Sequence, residues 1–103
     1  IYPISFFWDI LGAPTSVAAR ARLADTGADA DVATIFTHAS GAISTSVTSS
    51  RSAGPNTAHI IGTEARIDID RTWYTPTSFR VTGPDGTVTE DYLSDIAGRG
   101  MQF

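Results

Sequence analysis

Thr15-Ser16-Val17-Ala18-Ala19-Arg20-Ala21-Arg22-Leu23-Ala24 changes side with every residue: Val17, Ala19, Ala21 and Leu23 fall on one face, Ala18, Arg20 and Arg22 on the other. A period of two sustained this long is that of a half-buried strand. Immediately upstream the period is helical. Pro3 suits a first helical turn, Ile4, Phe7, Trp8 and Leu11 recur at helical spacing, and Gly12-Ala13-Pro14 stops the run. The junction therefore reads as one short helix over residues 3–11 followed by strands.

The rest of the chain repeats strand and turn. Asp25-Thr26-Gly27-Ala28-Asp29 is turn chemistry, Asp31 to Thr37 is rich in β-branched and aromatic residues, and Ser40-Gly41 reverses the chain into Ala42 to Ser50. On that third strand Ala42, Ser44, Ser46, Thr48 and Ser50 share one face, and Ile43, Thr45, Val47 and Ser49 share the other. Residues 57–61, 66–70, 78–82 and 87–91 read as shorter strands, the last two joined by Gly83-Pro84-Asp85-Gly86, a hairpin signal. Ile67 and Ile69, alternating with Arg66, Asp68 and Asp70, set a buried face against a wet one, and Phe79 and Val81 point inward. The expected class is α+β: an open, mostly antiparallel twisted sheet of about six strands with a short N-terminal helix. One short helix leaves much of such a sheet uncovered, which implies a partner.

Composition excludes several functions. The chain has 103 residues, 42% hydrophobic and 17% charged, with a net charge of -4 and no cysteine. That length fits one domain. All seven basic residues are arginine, so no Walker-type phosphate loop or Schiff-base lysine can be present. Absent cysteine removes disulfides, thiolate nucleophiles and cysteine-ligated metals. Nine aspartates and two glutamates against scattered arginines oppose a nucleic-acid partner. No apolar run approaches the roughly 20 residues that span a bilayer. With no initiator Met, basic n-region or cleavage site visible, the expected location is cytoplasmic. The apolar starts and ends, Ile1-Tyr2-Pro3 and Gly100-Met101-Gln102-Phe103, read as cuts in a longer protein.

Several short motifs occur in a distinctive order. Ile1-Tyr2-Pro3 leads a helix ending in Leu11-Gly12; then come Thr26-Gly27-Ala28-Asp29, Ser40-Gly41-Ala42 and Gly62-Thr63-Glu64-Ala65-Arg66-Ile67. Together they resemble the C-terminal domain of the Gfo/Idh/MocA oxidoreductases, over essentially the whole chain. Tyrosine at Tyr2, Asn56-Thr57-Ala58 before the Gly-Thr element, and Trp73-Tyr74-Thr75-Pro76-Thr77 are similar to the dimeric dihydrodiol dehydrogenase branch. Ala65 departs from the family's usual glycine, which puts the turn geometry there in question because alanine resists positive φ.

The resemblance implies a fold like the C-terminal domains of dihydrodipicolinate reductase and glyceraldehyde-3-phosphate dehydrogenase. It also implies one substrate-binding and dimerisation domain over residues 1–103, truncated at both ends. An N-terminal Rossmann domain, absent here along with the family's catalytic lysine, would hold NAD or NADP, and the chain has no G-x-G-x-x-G of its own. The implied reaction is hydride transfer at a sugar, polyol or dihydrodiol hydroxyl, with this chain inactive alone and binding no cofactor. The alternative is a stand-alone, non-enzymatic β-sheet binding or scaffolding domain.

By that resemblance Tyr2 is the catalytic candidate, exchanging a proton with the substrate oxygen. A phenol titrating near 10 is a poor base at neutral pH, so a neighbouring cation is implied. The plain alternative is a tyrosine stacked on its own helix. Adjacent aromatics on an extended segment face opposite sides, so of Trp73 and Tyr74 one should pack inward and one should line the substrate cleft. The resemblance favours Tyr74 as the wall; packing for both is the alternative. Phe7 and Trp8 read as core. His38 and His59 sit on separate strands without ligand spacing, so no metal is expected. Asp68 and Asp70 read as a solvated face, with Arg20 and Arg22 as cross-sheet partners. The charge-free face of Ala42, Ser44, Ser46, Thr48 and Ser50 is the expected homodimer surface.

Overall fold

The computed structural model describes residues 1–95, and the Gly100-Met101-Gln102-Phe103 end lies outside them. Its elements are α1 (Tyr2–Leu11), β1 (Pro14–Leu23), β2 (Asp29–His38), β3 (Ile43–Ser49), β4 (Ala58–Ile61), β5 (Arg66–Ile69), β6 (Phe79–Thr82) and β7 (Val88–Tyr92). This is the α+β layout expected, with seven strands. They hydrogen-bond as one three-stranded sheet, β1-β2-β3, and one four-stranded sheet, β4-β5-β6-β7, every pairing antiparallel. The chain divides into two compact units, Ile1–Gly54 and Pro55–Phe103. No helix among the described residues is long and apolar enough to cross a membrane.

In the first unit, the register sets Val17 opposite Phe36 and Phe36 opposite Ser44, so these residues share a face with Val32, Thr34, Ser46 and Thr48. Helix α1 lies on that face. The Phe7 ring meets Phe36 edge-on at 5.7 Å, and Phe36 is 5% exposed. Ala30 is the other buried apolar residue among those described. Trp8 corrects the sequence reading: it is 56% exposed. Successive helix residues are about 100° apart, so with Phe7 on the sheet Trp8 points away from it. Strand β1 is corrected too, because Val17 and Leu23 are 60% and 63% exposed. A helix of ten residues is about 15 Å long and covers only the part of three strands nearest Phe36.

In the second unit, Ile60, Ile67 and Val81 align across β4, β5 and β6, and Phe79 stacks on Tyr92 of β7 at 5.3 Å. The opposite face carries His59, Asp68, Arg80 and Asp91 in one row. The turn at Gly62-Thr63-Glu64-Ala65 closes by Gly62 N–H donating to Ala65 O at 2.9 Å. Ala65 has no positive φ, so alanine fits there. The tighter position is Gly62, where a Cβ would stand 3.1 Å from the Ala65 carbonyl oxygen.

Since apolar burial in the first unit concentrates at Phe36, Phe36→Ala is expected to lower unfolding free energy by about 3 kcal/mol. Leu23→Ala, at an exposed position, should change it by less than about 0.5 kcal/mol. Urea unfolding of the chain measures both, and equal effects would place the core elsewhere.

Candidate functional site

Tyr2 opens α1. The residue before it, Ile1, offers no side-chain cap, Pro3 occupies the first turn, and no acidic residue lies there. The first-turn N–H groups therefore meet no side-chain acceptor from a cap, and no carboxylate of the first turn offsets the positive end of the helix dipole. Tyr2 is 58% exposed at this end. Chemically, the arrangement offers a phenol hydroxyl at a helix terminus that favours negative charge on a nearby oxygen.

Trp73 and Tyr74 lie between β5 and β6, and the structure changes their relation. The segment turns instead of extending: Thr75 N–H and Thr75 Oγ1 both donate to Thr72 O, at 3.0 and 2.8 Å. In a turn the strand alternation no longer applies, and the two rings meet edge to face at 5.6 Å and 88°. Trp73 N–H donates to Asn56 O at 3.3 Å, tying the turn back to the segment before β4. Tyr74 is 40% exposed and Trp73 half-buried. These aromatics form one surface together, in the second unit; Tyr2 belongs to the first.

Both histidines are engaged by neighbours the sequence did not reveal. His59 Nδ1 donates to Asp68 Oδ1 at 2.7 Å, Arg66 Nε donates to Asp68 Oδ2 at 3.0 Å, and His59 Nε2 lies 3.2 Å from Thr57 Oγ1. Closing the loop between Ile61 and Arg66 sets His59 opposite Asp68, and that loop length was the available signal. His38, 2% exposed, spans Gly12 O at 3.1 Å and Ser44 Oγ at 2.9 Å. Among the described residues, no three His, Cys, Asp or Glu side chains group as metal ligands.

The arginine pairings also differ from expectation. Arg22 binds Asp31 of the neighbouring strand at 2.7 Å, while Asp68 and Asp70 take Arg66 and Arg80, at 3.0 and 3.7 Å. Facing residues on adjacent strands are the nearest partners, which is why Arg22 finds Asp31. Arg20 Nη1 donates to Ala19 O.

Ala42, Ser44, Ser46, Thr48 and Ser50 lie on the α1 side of the first sheet. Ser44 is 7% exposed, Ser46 Oγ is 2.6 Å from Thr34 Oγ1, and Ser50 Oγ donates to Ala30 O. The opposite face presents Ile35, Ile43 and Val47 at 53%, 67% and 82% exposure, beside Ala18 and Ala33.

The chain matches the GFO/IDH/MocA C-terminal domain over residues 1–68, and it belongs to that family. Among solved structures it is similar to an oxidoreductase from Agrobacterium radiobacter in complex with NAD+, L-tartaric acid and magnesium. The TM-score is 0.65 and the identity 22%, over 93% of this chain and 30% of that one. The chain thus spans less than a third of that protein's length. No curated protein sequence matches it.

The Asp68 carboxyl is held below its ordinary value, first by the His59 hydrogen bond and then by that from Arg66, against partial burial. A carboxyl depressed in the folded state adds stability above its unfolded pKa of about 3.9 and loses it as pH falls through the lower folded value. The stability gap between wild type and Asp68→Asn is therefore expected to be widest at neutral pH and to narrow below about pH 4. Urea unfolding across that range checks the sign, and a gap widening on acidification would reverse it.

Proposed function

We propose that this chain is the substrate-side and dimerising domain of an NAD(P)-dependent oxidoreductase acting on a hydroxyl of a sugar, polyol or dihydrodiol. The observation that carries the reading is the family match over residues 1–68, which takes in α1 with Tyr2 and the whole three-stranded sheet. The Agrobacterium oxidoreductase, bound to NAD+ and the small hydroxy acid L-tartaric acid, supports the same substrate chemistry. The Trp73-Tyr74-Thr75-Pro76-Thr77 stretch supports the dihydrodiol dehydrogenase-like branch.

The residues of this chain do not fit the nucleotide's phosphates, because it has no lysine and no G-x-G-x-x-G loop leading a helix. In the proposal an N-terminal Rossmann domain of the longer, cytoplasmic protein binds NAD or NADP. When bound, the nicotinamide supplies hydride chemistry. Tyr2 exchanges the accompanying proton with the substrate oxygen, and Tyr74 and Trp73 wall the substrate. The α1 terminus contributes at most about 1 kcal/mol toward negative charge on a nearby oxygen. Ionising a phenol at neutral pH takes about 4 kcal/mol, so in the proposal a neighbouring cation, the lysine of the Rossmann half, completes the site.

The proposed homodimer forms on the open face of the first sheet. Ile35, Ile43 and Val47 supply apolar area there, and the small Ala18 and Ala33 let a second sheet approach closely. The expectation from sequence was the face of Ala42, Ser44, Ser46, Thr48 and Ser50; because Ser44, Ser46 and Ser50 of that face are engaged in hydrogen bonds, the proposal takes its reverse.

In the longer oxidoreductase, Tyr2→Phe should lower kcat about 10²- to 10⁴-fold with NAD(H) affinity unchanged. An undiminished kcat would remove Tyr2 from the chemistry, and tight NAD(H) binding by this chain alone would overturn the division of labour. Val47→Asp should convert a light-scattering dimer to monomer. A wild-type monomer at high concentration, or a dimer that survives the charge, would overturn the interface.

A further inference from the structure

His38 is the largest side chain that the first unit buries completely, and no step proposed above uses it. Its contact with Gly12 fixes where a ring hydrogen lies. Gly12 O is a carbonyl and can only accept, so His38 Nδ1 carries the hydrogen and donates at 3.1 Å. In the neutral ring Nε2 then holds a lone pair, and Ser44 Oγ–H donates to it at 2.9 Å. Both ring nitrogens are satisfied in one tautomer, as burial at 2% exposure requires.

The hydrogen bonds continue into the helix. Gly12 N–H donates to Trp8 O at 2.9 Å, closing the last turn of α1, and its φ of 79° is a conformation glycine adopts freely. One path of bonds therefore runs from the Trp8 carbonyl through Gly12 and His38 to Ser44, linking α1, β2 and β3. A second anchor sits halfway along the helix, where Phe7 meets Phe36.

The spacing of these anchors gives the path a mechanical consequence. Phe7 lies five positions after Tyr2, about 7.5 Å along the helix, and five before Gly12, which caps it. Pro3, Phe6 and Leu11 are half-buried along the same short helix, so α1 sits on the sheet as one rod and a displacement at Gly12 is carried along it. A shift of about 1 Å at Gly12 would then displace the Tyr2 end by a comparable amount. Displacements of that size cost about 10²-fold in rate when they fall on a reacting group.

We infer that His38 is a positioning residue: as its Nδ1–H tautomer it clamps the C-terminal end of α1 to the sheet and so sets the pose of Tyr2 at the other end. The clamp stands on the geometry alone; its effect on turnover rests on the oxidoreductase reading above.

Two near-isosteric variants separate the hydrogen bond from mere packing. Asparagine places an amide N–H near the Nδ1 position, and glutamine places its amide near Nε2. In the chain itself, His38→Gln should speed amide exchange over the last turn of α1 about tenfold while β1 and β2 exchange as in wild type, and His38→Asn should restore protection. Unchanged α1 exchange in His38→Gln, or equal loss in both variants, would overturn the clamp. Ring nitrogen NMR of wild type decides the matter even where a variant fails to fold: a single Nδ1–H tautomer is expected, and the Nε2–H tautomer would overturn it. In the longer oxidoreductase, His38→Gln should lower kcat about 10²-fold at unchanged NAD(H) affinity, with His38→Asn near wild type. Wild type without turnover would sink the oxidoreductase reading and leave the exchange and tautomer results to judge the clamp by themselves.

Discussion

Phe36 is the residue the first unit is built around. It lies on the middle strand, where pairing on both sides fixes its backbone, and it receives the Phe7 ring from α1. A three-stranded sheet has little apolar depth of its own, so a single well-covered aromatic contributes disproportionately to its stability. Once Phe36 is under α1, the period-two rule places Thr34 and His38 on the same side, and cross-strand pairing adds Ser44 and Ser46. The hydroxyls of the third strand are there for a reason: they satisfy Thr34 and His38, which would otherwise be polar groups held against the helix.

The local order of elements was legible in the sequence, and the assignment of faces was not. Alternation from Thr15 to Ala24 marks a strand whatever covers it, so β1 came out at nearly its observed limits. Which side of β3 meets the helix depends on where α1 lands, and alternation carries no information about that. A charge-free serine face looks like an interface in isolation; Ser44 is instead buried within the unit, where its hydroxyl meets His38. The pairing of His59 with Asp68 was recoverable from the loop length, whereas the meeting of Trp73 with Tyr74 was not. Their segment contains no Gly, and its turn is held by Thr75 hydroxyl and amide bonds to Thr72.

Having only arginine among its long cations shapes the surfaces. Arg22, Arg66 and Arg80 each find an aspartate on the same or a neighbouring strand. Exposed pairs of this kind stabilise by at most about 1 kcal/mol. The Arg22–Asp31 pair, which joins two strands, also bears on register, because slipping one of them by a residue would move the arginine to the opposite face from its carboxylate.

For the proposed chemistry the same composition is restrictive. A chain without lysine or cysteine can bring hydroxyls, carboxylates, imidazoles and guanidiniums to a reacting oxygen. The imidazoles are both engaged within the fold, one by the helix end and one by Asp68. In the proposal Tyr2, at a helix terminus that Ile1 does not cap, supplies the hydroxyl. It is effective only if the terminus points at one place, which is why a buried histidine at the far end of the helix bears on an oxygen that it never touches.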